Sequence, residues 1–304
     1  MNQGDQVAGL ADALRAATTV LAAAGIRSAR NDAELLAAHL AGTSRAQLRA
    51  DAVLGRPAPA GLADLVARRA QRVPVQHLTG SGPFRRLDLA VGPGVFVPRP
   101  ETEQVAEEAI GAARAVLAER GSVRVVDLCT GSGAIAIAVA DEVPGAEVHA
   151  VELDARAHAW ALRNVAALAP SVHLVRGDAR TALVALDGTV DVVVSNPPYI
   201  PPDAVPCDPE VRDHDPAVAL YGLGPDGLTV PTGVVGAAVR LLRAGGLLVM
   251  EHAEVQAAAV RAVVEATGVF AQVRTAVDLA GRDRMVVARR VGGSGAPGVA
   301  DSRP

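Results

Sequence analysis

The tetrapeptide Asn196-Pro197-Pro198-Tyr199 combines residue types that can hold a planar NH2 group. Two consecutive prolines fix the backbone and remove two N–H donors, leaving carbonyls that only accept. The Asn196 side-chain oxygen and the Pro197 carbonyl can then each take one N–H of a single NH2 group. Tyr199, an aromatic residue in a chain with only 2% of them, can lie against that group. An amide nitrogen is a poor nucleophile because its lone pair is delocalised into the carbonyl. Two acceptors gripping its N–H bonds hold it in line with an electrophile and favour charge building up on nitrogen, so no strong general base is required. Read as a turn alone, the segment would be a rigid bend initiated by Asn196. Its place after the apolar run 191–195, beside a Gly-rich turn, favours the clamp.

That turn, Asp127-Leu128-Cys129-Thr130-Gly131-Ser132-Gly133, stands where an apolar strand gives way to a helix. Glycines at such a junction let the backbone approach a ligand, and open α/β sheets bind ligands beyond the carboxyl ends of their strands. The spacing falls short of GxGxxG, and no Gly-Lys-Ser/Thr of a P-loop is present. A pyrophosphate is therefore disfavoured and another nucleotide-like ligand is expected. Glu152, about twenty residues on as in the dinucleotide folds, can accept two hydrogen bonds from ribose hydroxyls. Asp154 competes with it but reads better as the N-cap of the next helix. Asp178, at a third carboxyl end, can accept an adenine amine or cap a turn.

These residues need a sheet to carry them. Apolar runs at 123–128, 147–151, 172–175, 190–194 and 247–250 read as strands, separated by helices at 134–140 and 155–168 and by one ending near Leu242. A Pro-rich loop spans 200–225, a helix starts near Glu254, and strands near Val273 and Met285 close the series. Such alternation predicts an α/β fold with a doubly wound, mostly parallel seven-stranded sheet, its last two strands antiparallel at one edge. Upstream, helical spacing at Val7, Leu10 and Leu14, and again at Leu35, Leu36 and Leu40, predicts helices, the second starting at Asn31 or Asp32. Two more, after Thr43-Ser44 and over 61–72, complete a small helical domain. Alternation at Leu87, Leu89 and Val91 among glycines predicts a β-hairpin, and a helix over 101–119 follows. The expected domains are a helical docking domain over 1–74, a hairpin linker over 75–100, a catalytic α/β domain over 101–291 and a disordered tail over 292–304.

Composition narrows the classes. The 304 residues, 50% of them hydrophobic, suffice for a well-buried α/β domain and a smaller companion. A net charge of −4 gives no global attraction to phosphate backbones, so DNA is not expected as a partner. Cys129 and Cys207 lack CxxC or metal-ligand spacing, so no disulfide framework and no metal are expected, which suits the cytoplasm. The polar start Asn2-Gln3-Gly4-Asp5 is not a secretory signal, and no apolar run is long enough to span a membrane. Trp160, the histidines and the cysteines read as structural.

Several further motifs join these. Pro74-Val75-Gln76-His77-Leu78-Thr79-Gly80 precedes the hairpin, and Val97-Pro98-Arg99-Pro100-Glu101-Thr102-Glu103 opens the catalytic domain. Tyr221-Gly222-Leu223-Gly224-Pro225-Asp226-Gly227-Leu228 and Asp278-Leu279-Ala280-Gly281-Arg282-Asp283-Arg284 follow the clamp. With the two site motifs, they make residues 30–290 resemble the class I methyltransferases of the glutamine-N5 type that modify peptide chain release factors. The resemblance implies S-adenosyl-L-methionine as cofactor, with contacts at Cys129, Thr130, Gly131, Ser132, Gly133, Glu152, Ala179 and Asn196. It implies glutamine contacts at Asn196, Pro197, Pro198 and Tyr199, of which Asn196, Pro197 and Tyr199 would be catalytic. A monomer that docks the release factor on its helical domain and methylates the glutamine of a Gly-Gly-Gln loop is the expectation. Cys129 stands where the family usually has Gly, Ala179 where a larger residue often packs on the adenine, and His77 where Tyr is common. Alternatives are adenine N6 methylation of DNA or RNA, a ribosomal-protein glutamine as acceptor, and a module that binds the cofactor without turnover.

Overall fold

The β-branched runs 123–128 and 190–195 form neighbouring central strands, buried on both faces as continuous apolar strands of a parallel sheet require. The computed structural model describes residues 9–292, and contacts divide them into two units. Val7 and the tail beyond Gly292 lie outside the described residues.

The first unit gathers residues up to Gly82 with 91–94 and 206–215. Its helices are α1 (Leu10–Ala23), α2 (Ala29–Ala41), α3 (Arg45–Val53), α4 (Leu62–Ala70) and the short α5 (Val75–Thr79). Leu21, Leu36, Ala33 and Leu48 are fully or almost fully buried where their apolar stripes meet. Helix α2 starts at Ala29, earlier than the expected Asn31 or Asp32. The reason is tertiary: the Asp32 carboxylate does not cap but is buried against Arg69 Nε at 2.8 Å. Arg69 also pairs with Glu210 at 2.7 Å, which draws the segment 206–215 into this unit. Glu34, likewise buried, accepts from Arg45 and Arg49 at 2.9 and 2.6 Å.

The second unit holds 83–90, 95–205 and the rest from Pro216. The hairpin strands β1 (Ser81–Phe84) and β2 (Leu87–Ala90) form a small separate sheet. The stretch read as hairpin from Val75 onward thus begins as α5, which Gly80 ends at φ 71°. Then come α6 (Thr102–Arg120), β3 (Val123–Leu128), α7 (Ala134–Glu142), β4 (Ala146–Glu152), α8 (Ala155–Leu168), β5 (His173–Arg176) and β6 (Val190–Ser195). The Pro-rich loop carries two short helices, α9 (Pro209–His214) and α10 (Ala217–Leu220). After it follow α11 (Thr229–Leu241), β7 (Leu242–Glu251), α12 (Ala257–Ala266), β8 (Phe270–Val277) and β9 (Asp283–Arg290).

The seven-stranded sheet has the order β5-β4-β3-β6-β7-β9-β8, parallel except that β9 runs antiparallel to both β7 and β8. Strand order reverses between β3 and β6, and a crevice for ligands opens outside the carboxyl ends at such a switch point. Leu128 of β3 is level with Ser195 of β6 and Val151 of β4. The turn after β3, the acid closing β4 and the tetrapeptide after β6 therefore emerge on one edge. Among the described residues no helix is long and apolar enough to cross a membrane.

Candidate active site

The turn after β3 is held by two acids. Asp127 is fully buried and accepts the Thr130 hydroxyl at 2.6 Å and the Ala136 N–H at 3.1 Å through one oxygen, while the other has no protein partner. Burial pushes its carboxyl up to about 7, against the lowering effect of those two donors. The chain between uses left-handed backbone at Cys129 (φ 62°), Gly131 (φ 59°) and Gly133 (φ 87°). Beyond its chain neighbours no atom lies within 4 Å of where a Cβ on Gly131 would stand, and the Gly131 N–H is committed to an acid. That N–H donates to Glu152 Oε2 at 2.8 Å, while Oε1 accepts the Asp154 N–H at 2.8 Å. Glu152 is buried, which raises its pKa against the backbone N–H groups of Asp154, Gly131 and Leu153, and its carboxylate keeps lone-pair capacity for a further donor. Asp154 caps α8, accepting from the N–H groups of Arg156 and Ala157.

Two further expected cofactor residues sit differently. Asp178 turns its carboxylate onto Arg180, accepting its backbone N–H at 2.9 Å and its guanidinium at 2.6 Å. Its pKa is lowered by that pair, and the turn-capping alternative describes its contacts. Ala179 is buried in the core beside Val126, Leu128 and Val151, with Cys129 packed on the same cluster.

At the tetrapeptide, Pro197 is buried and Asn196, Pro198 and Tyr199 are half-buried. Asn196 Nδ2 donates to Thr102 Oγ1 at 3.1 Å, and Thr102 donates to Glu251 Oε2 at 2.8 Å. The Tyr199 hydroxyl donates to Glu251 Oε1 at 3.3 Å. With its NH2 engaged, Asn196 keeps its side-chain oxygen as a free acceptor, the group a clamp requires. Burial raises the Tyr199 pKa, and the neighbouring Glu251 raises it further, so the phenol stays neutral.

A second layer of chain supports the segment from behind. The Ile200 N–H donates to Leu220 O, Gly222 N–H to Ile200 O, and Gln256 Nε2 to the carbonyls of both Tyr199 and Asp226, at 2.8 to 3.0 Å. Asn164 of α8 does the same for the Gly-rich turn: its amide donates to Ser132 O at 2.9 Å and exchanges two hydrogen bonds with the Ala90 backbone. Thr102, Asn164, Glu251 and Gln256 were not singled out in the sequence. The signal available for Thr102 was its motif Pro-Arg-Pro-Glu-Thr; Glu251 shows only as an acid ending an apolar run. A groove of about 760 Å³, lined by Glu107, Glu108 and Arg274 among others, lies on α6 and the β8–β9 pair and includes none of the expected site residues.

Comparison with known proteins places the chain among methyltransferases. Residues 12–80 match the family model described as PrmC N-terminal domain, and residues 112–206 the Methyltransferase small domain. The chain is 49% identical to a release factor glutamine methyltransferase of Streptomyces coelicolor, over 90% of this chain and 95% of that one. It is 44% identical to a 4-amino-L-phenylalanine/4-methylamino-L-phenylalanine methyltransferase of Streptomyces pristinaespiralis, over 85% and 88% of the two chains. Among solved structures, the hMettl16 catalytic domain shares the fold at 16% identity, with a TM-score of 0.51 over 75% of this chain and 82% of that one. The sheet order, the two family models and the long, even matches lead to one placement: this chain is a class I methyltransferase and belongs to the release factor glutamine methyltransferase family.

Proposed function

We propose that the chain transfers a methyl group from S-adenosyl-L-methionine to the side-chain amide nitrogen (N5) of the glutamine in the Gly-Gly-Gln loop of peptide chain release factors. The observation that carries transfer to a conjugated NH2 is the orientation of Asn196, whose NH2 is committed to Thr102 so that its oxygen is left to accept, and the family of the chain favours glutamine as its bearer. Asn196 Oδ1 and the Pro197 carbonyl take the two N–H bonds of the glutamine amide, Pro198 keeps the loop rigid, and Tyr199 lies against the amide plane. S-adenosyl-L-methionine supplies an electrophilic methyl on a sulfonium.

The residues at the β3 and β4 ends fit that cofactor. Glu152 retains lone pairs for ribose hydroxyls, open space lies beside Gly131, and the unpartnered Asp127 oxygen is a buried acceptor in the same turn. Cys129, Thr130, Ser132 and Gly133 shape the turn, and Asp178 and Ala179 flank the adenine. Residues 1–74 dock the release factor, and the cytoplasm is the compartment proposed for the reaction.

A second reading takes a small aromatic amine as acceptor, favoured by the relative named for 4-amino-L-phenylalanine. Both acceptors present a conjugated NH2, so the clamp alone does not separate them. Labelled cofactor offered with a release factor, with 4-amino-L-phenylalanine and with DNA in parallel separates them. A single methyl on the Gly-Gly-Gln glutamine by mass spectrometry is the expected result, and label only in the free amino acid or in DNA would overturn it. Asn196→Ala should lower turnover at least about a hundredfold with cofactor affinity retained, as for a group acting mainly in the transition state.

A further inference from the structure

Glu251 closes β7, is only 3% exposed, and is the acceptor on which both arms of the clamp converge. It takes the Thr102 hydroxyl proton at 2.8 Å and the Tyr199 hydroxyl proton at 3.3 Å, one on each oxygen. A threonine hydroxyl owns one proton. Once Thr102 gives that proton to a carboxylate, only lone pairs face Asn196, whose amide must then present its NH2 there and turn its oxygen away. A protonated Glu251 reverses the logic. The acid can donate to Thr102, which frees the Thr102 proton for the Asn196 oxygen and lets the amide turn over.

We propose that ionised Glu251 is a positioning residue which, through Thr102, fixes the amide orientation of Asn196 and keeps its oxygen as the acceptor for the substrate NH2. This rests on the clamp reading above and adds its control element. Tyr199 is tied to the same carboxylate, so the amide and aromatic arms are set together.

The surroundings place the control in the neutral range. Burial raises the Glu251 carboxyl to about 7, opposed by Thr102 and Tyr199 as donors and by the charge of Arg284, and reinforced by Glu101. Tyr199 faces it from the loop after β6, Glu101 from the start of α6 and Arg284 from β9, whose guanidinium is hydrogen-bonded to Asp278 at 3.2 Å. His252, next in the chain, is buried with Nδ1 2.9 Å from the Ala253 carbonyl, and burial lowers its pKa. Turnover should therefore fall as pH drops through about 7, with an acid limb that belongs to Glu251.

The test measures kcat and KM for a release factor from about pH 6 to 9, with cofactor affinity by calorimetry, for Glu251→Gln, Thr102→Val and Thr102→Ser. Glu251→Gln and Thr102→Val should each lower kcat about tenfold or more, leave cofactor affinity within about twofold and abolish the acid limb. Thr102→Ser, which keeps the hydroxyl, should stay within about threefold of the parent and retain the limb. The double variant should be no worse than either single one, because both break the same chain of protons. Parental kcat in Glu251→Gln, or Thr102→Ser as impaired as Thr102→Val, would overturn the positioning role. Inactive Asn196→Ala beside a normal Glu251→Gln removes this inference alone, whereas an active Asn196→Ala removes the clamp and the inference with it. Thermal unfolding identifies a variant that has lost its fold, in which case the Thr102 pair decides.

Discussion

Gly227 lies directly against Tyr199: a Cβ on Gly227 would stand 2.3 Å from the Tyr199 carbonyl oxygen and 2.7 Å from the nitrogen of Pro201. Its φ of 75° also belongs to the left-handed region, so both space and backbone demand glycine. Gly227→Ala should displace the tetrapeptide, costing about 2–4 kcal/mol of stability, the scale of overpacking combined with backbone strain. Methyl transfer should fall much further than cofactor affinity does. Urea unfolding with a parallel cofactor titration checks it, and unchanged turnover would show that this close approach does not position the clamp.

Glu152 and Asp154 lie two residues apart with separable duties. Glu152→Ala should weaken S-adenosyl-L-methionine by about 1.5–3 kcal/mol, the range for hydrogen bonds to a charged group. Asp154→Ala should mainly remove a helix cap, at about 0.5–2 kcal/mol of stability. If titration showed Asp154 alone to matter for the cofactor, the roles would be exchanged.

Asn164 is 2% exposed and joins Ser132 to Ala90 through its side chain. Asn164→Ala leaves buried backbone groups unpaired, and each such group costs about 1–3 kcal/mol. The expected outcome is a lower unfolding temperature together with weaker cofactor binding, since the turn loses its brace. Retained affinity in the folded variant would restrict Asn164 to stability.

Asp127 and Glu251 on one side, and Glu34 on the other, should pull stability in opposite directions with pH. Asp127 and Glu251, both raised by burial to about 7, contribute stability that is fully present below their ordinary values near 4 and is lost as pH rises through about 7. Burial also works upward on Glu34, but the guanidinium groups of Arg49, Arg45 and Arg30 outweigh it and bring its pKa down to about 2. Its contribution is present above about pH 4.5 and disappears as pH falls toward about 2, amounting to about 1–2 kcal/mol once solvent screening of the exposed arginines is allowed for. Unfolding curves between about pH 3 and 8 should therefore lose part of the acid limb in Glu34→Gln and part of the neutral limb in Asp127→Asn, each variant leaving the other limb unchanged.

The central strands were legible because a parallel sheet buries both faces and demands unbroken apolar runs, which 123–128 and 190–195 supply. Helix α8 was legible from its cap at Asp154. Short elements were not: α5, α9 and α10 have too few turns to establish a period, although Asp208 followed by Pro209 is a cap with proline at the helix start. The Asn31 or Asp32 start failed because a buried partner, Arg69, outcompeted the local cap. Asn196 and Tyr199 could be picked out by their neighbours in sequence. Thr102 and Glu251 could not, because their bonds to the clamp span 94 and 52 residues along the chain.

The segment 206–215 has a last consequence, for inheritance. The helical unit is completed by residues that follow the tetrapeptide in sequence, with Glu210 pinned between Arg69 and Arg72 at 2.7 and 2.5 Å. A gene splice that replaced only the first eighty or so codons would strand Glu210 unless the incoming sequence supplied arginines at positions 69 and 72. Recombination that replaces the helical unit must therefore match it to the segment 206–215, which is encoded far downstream.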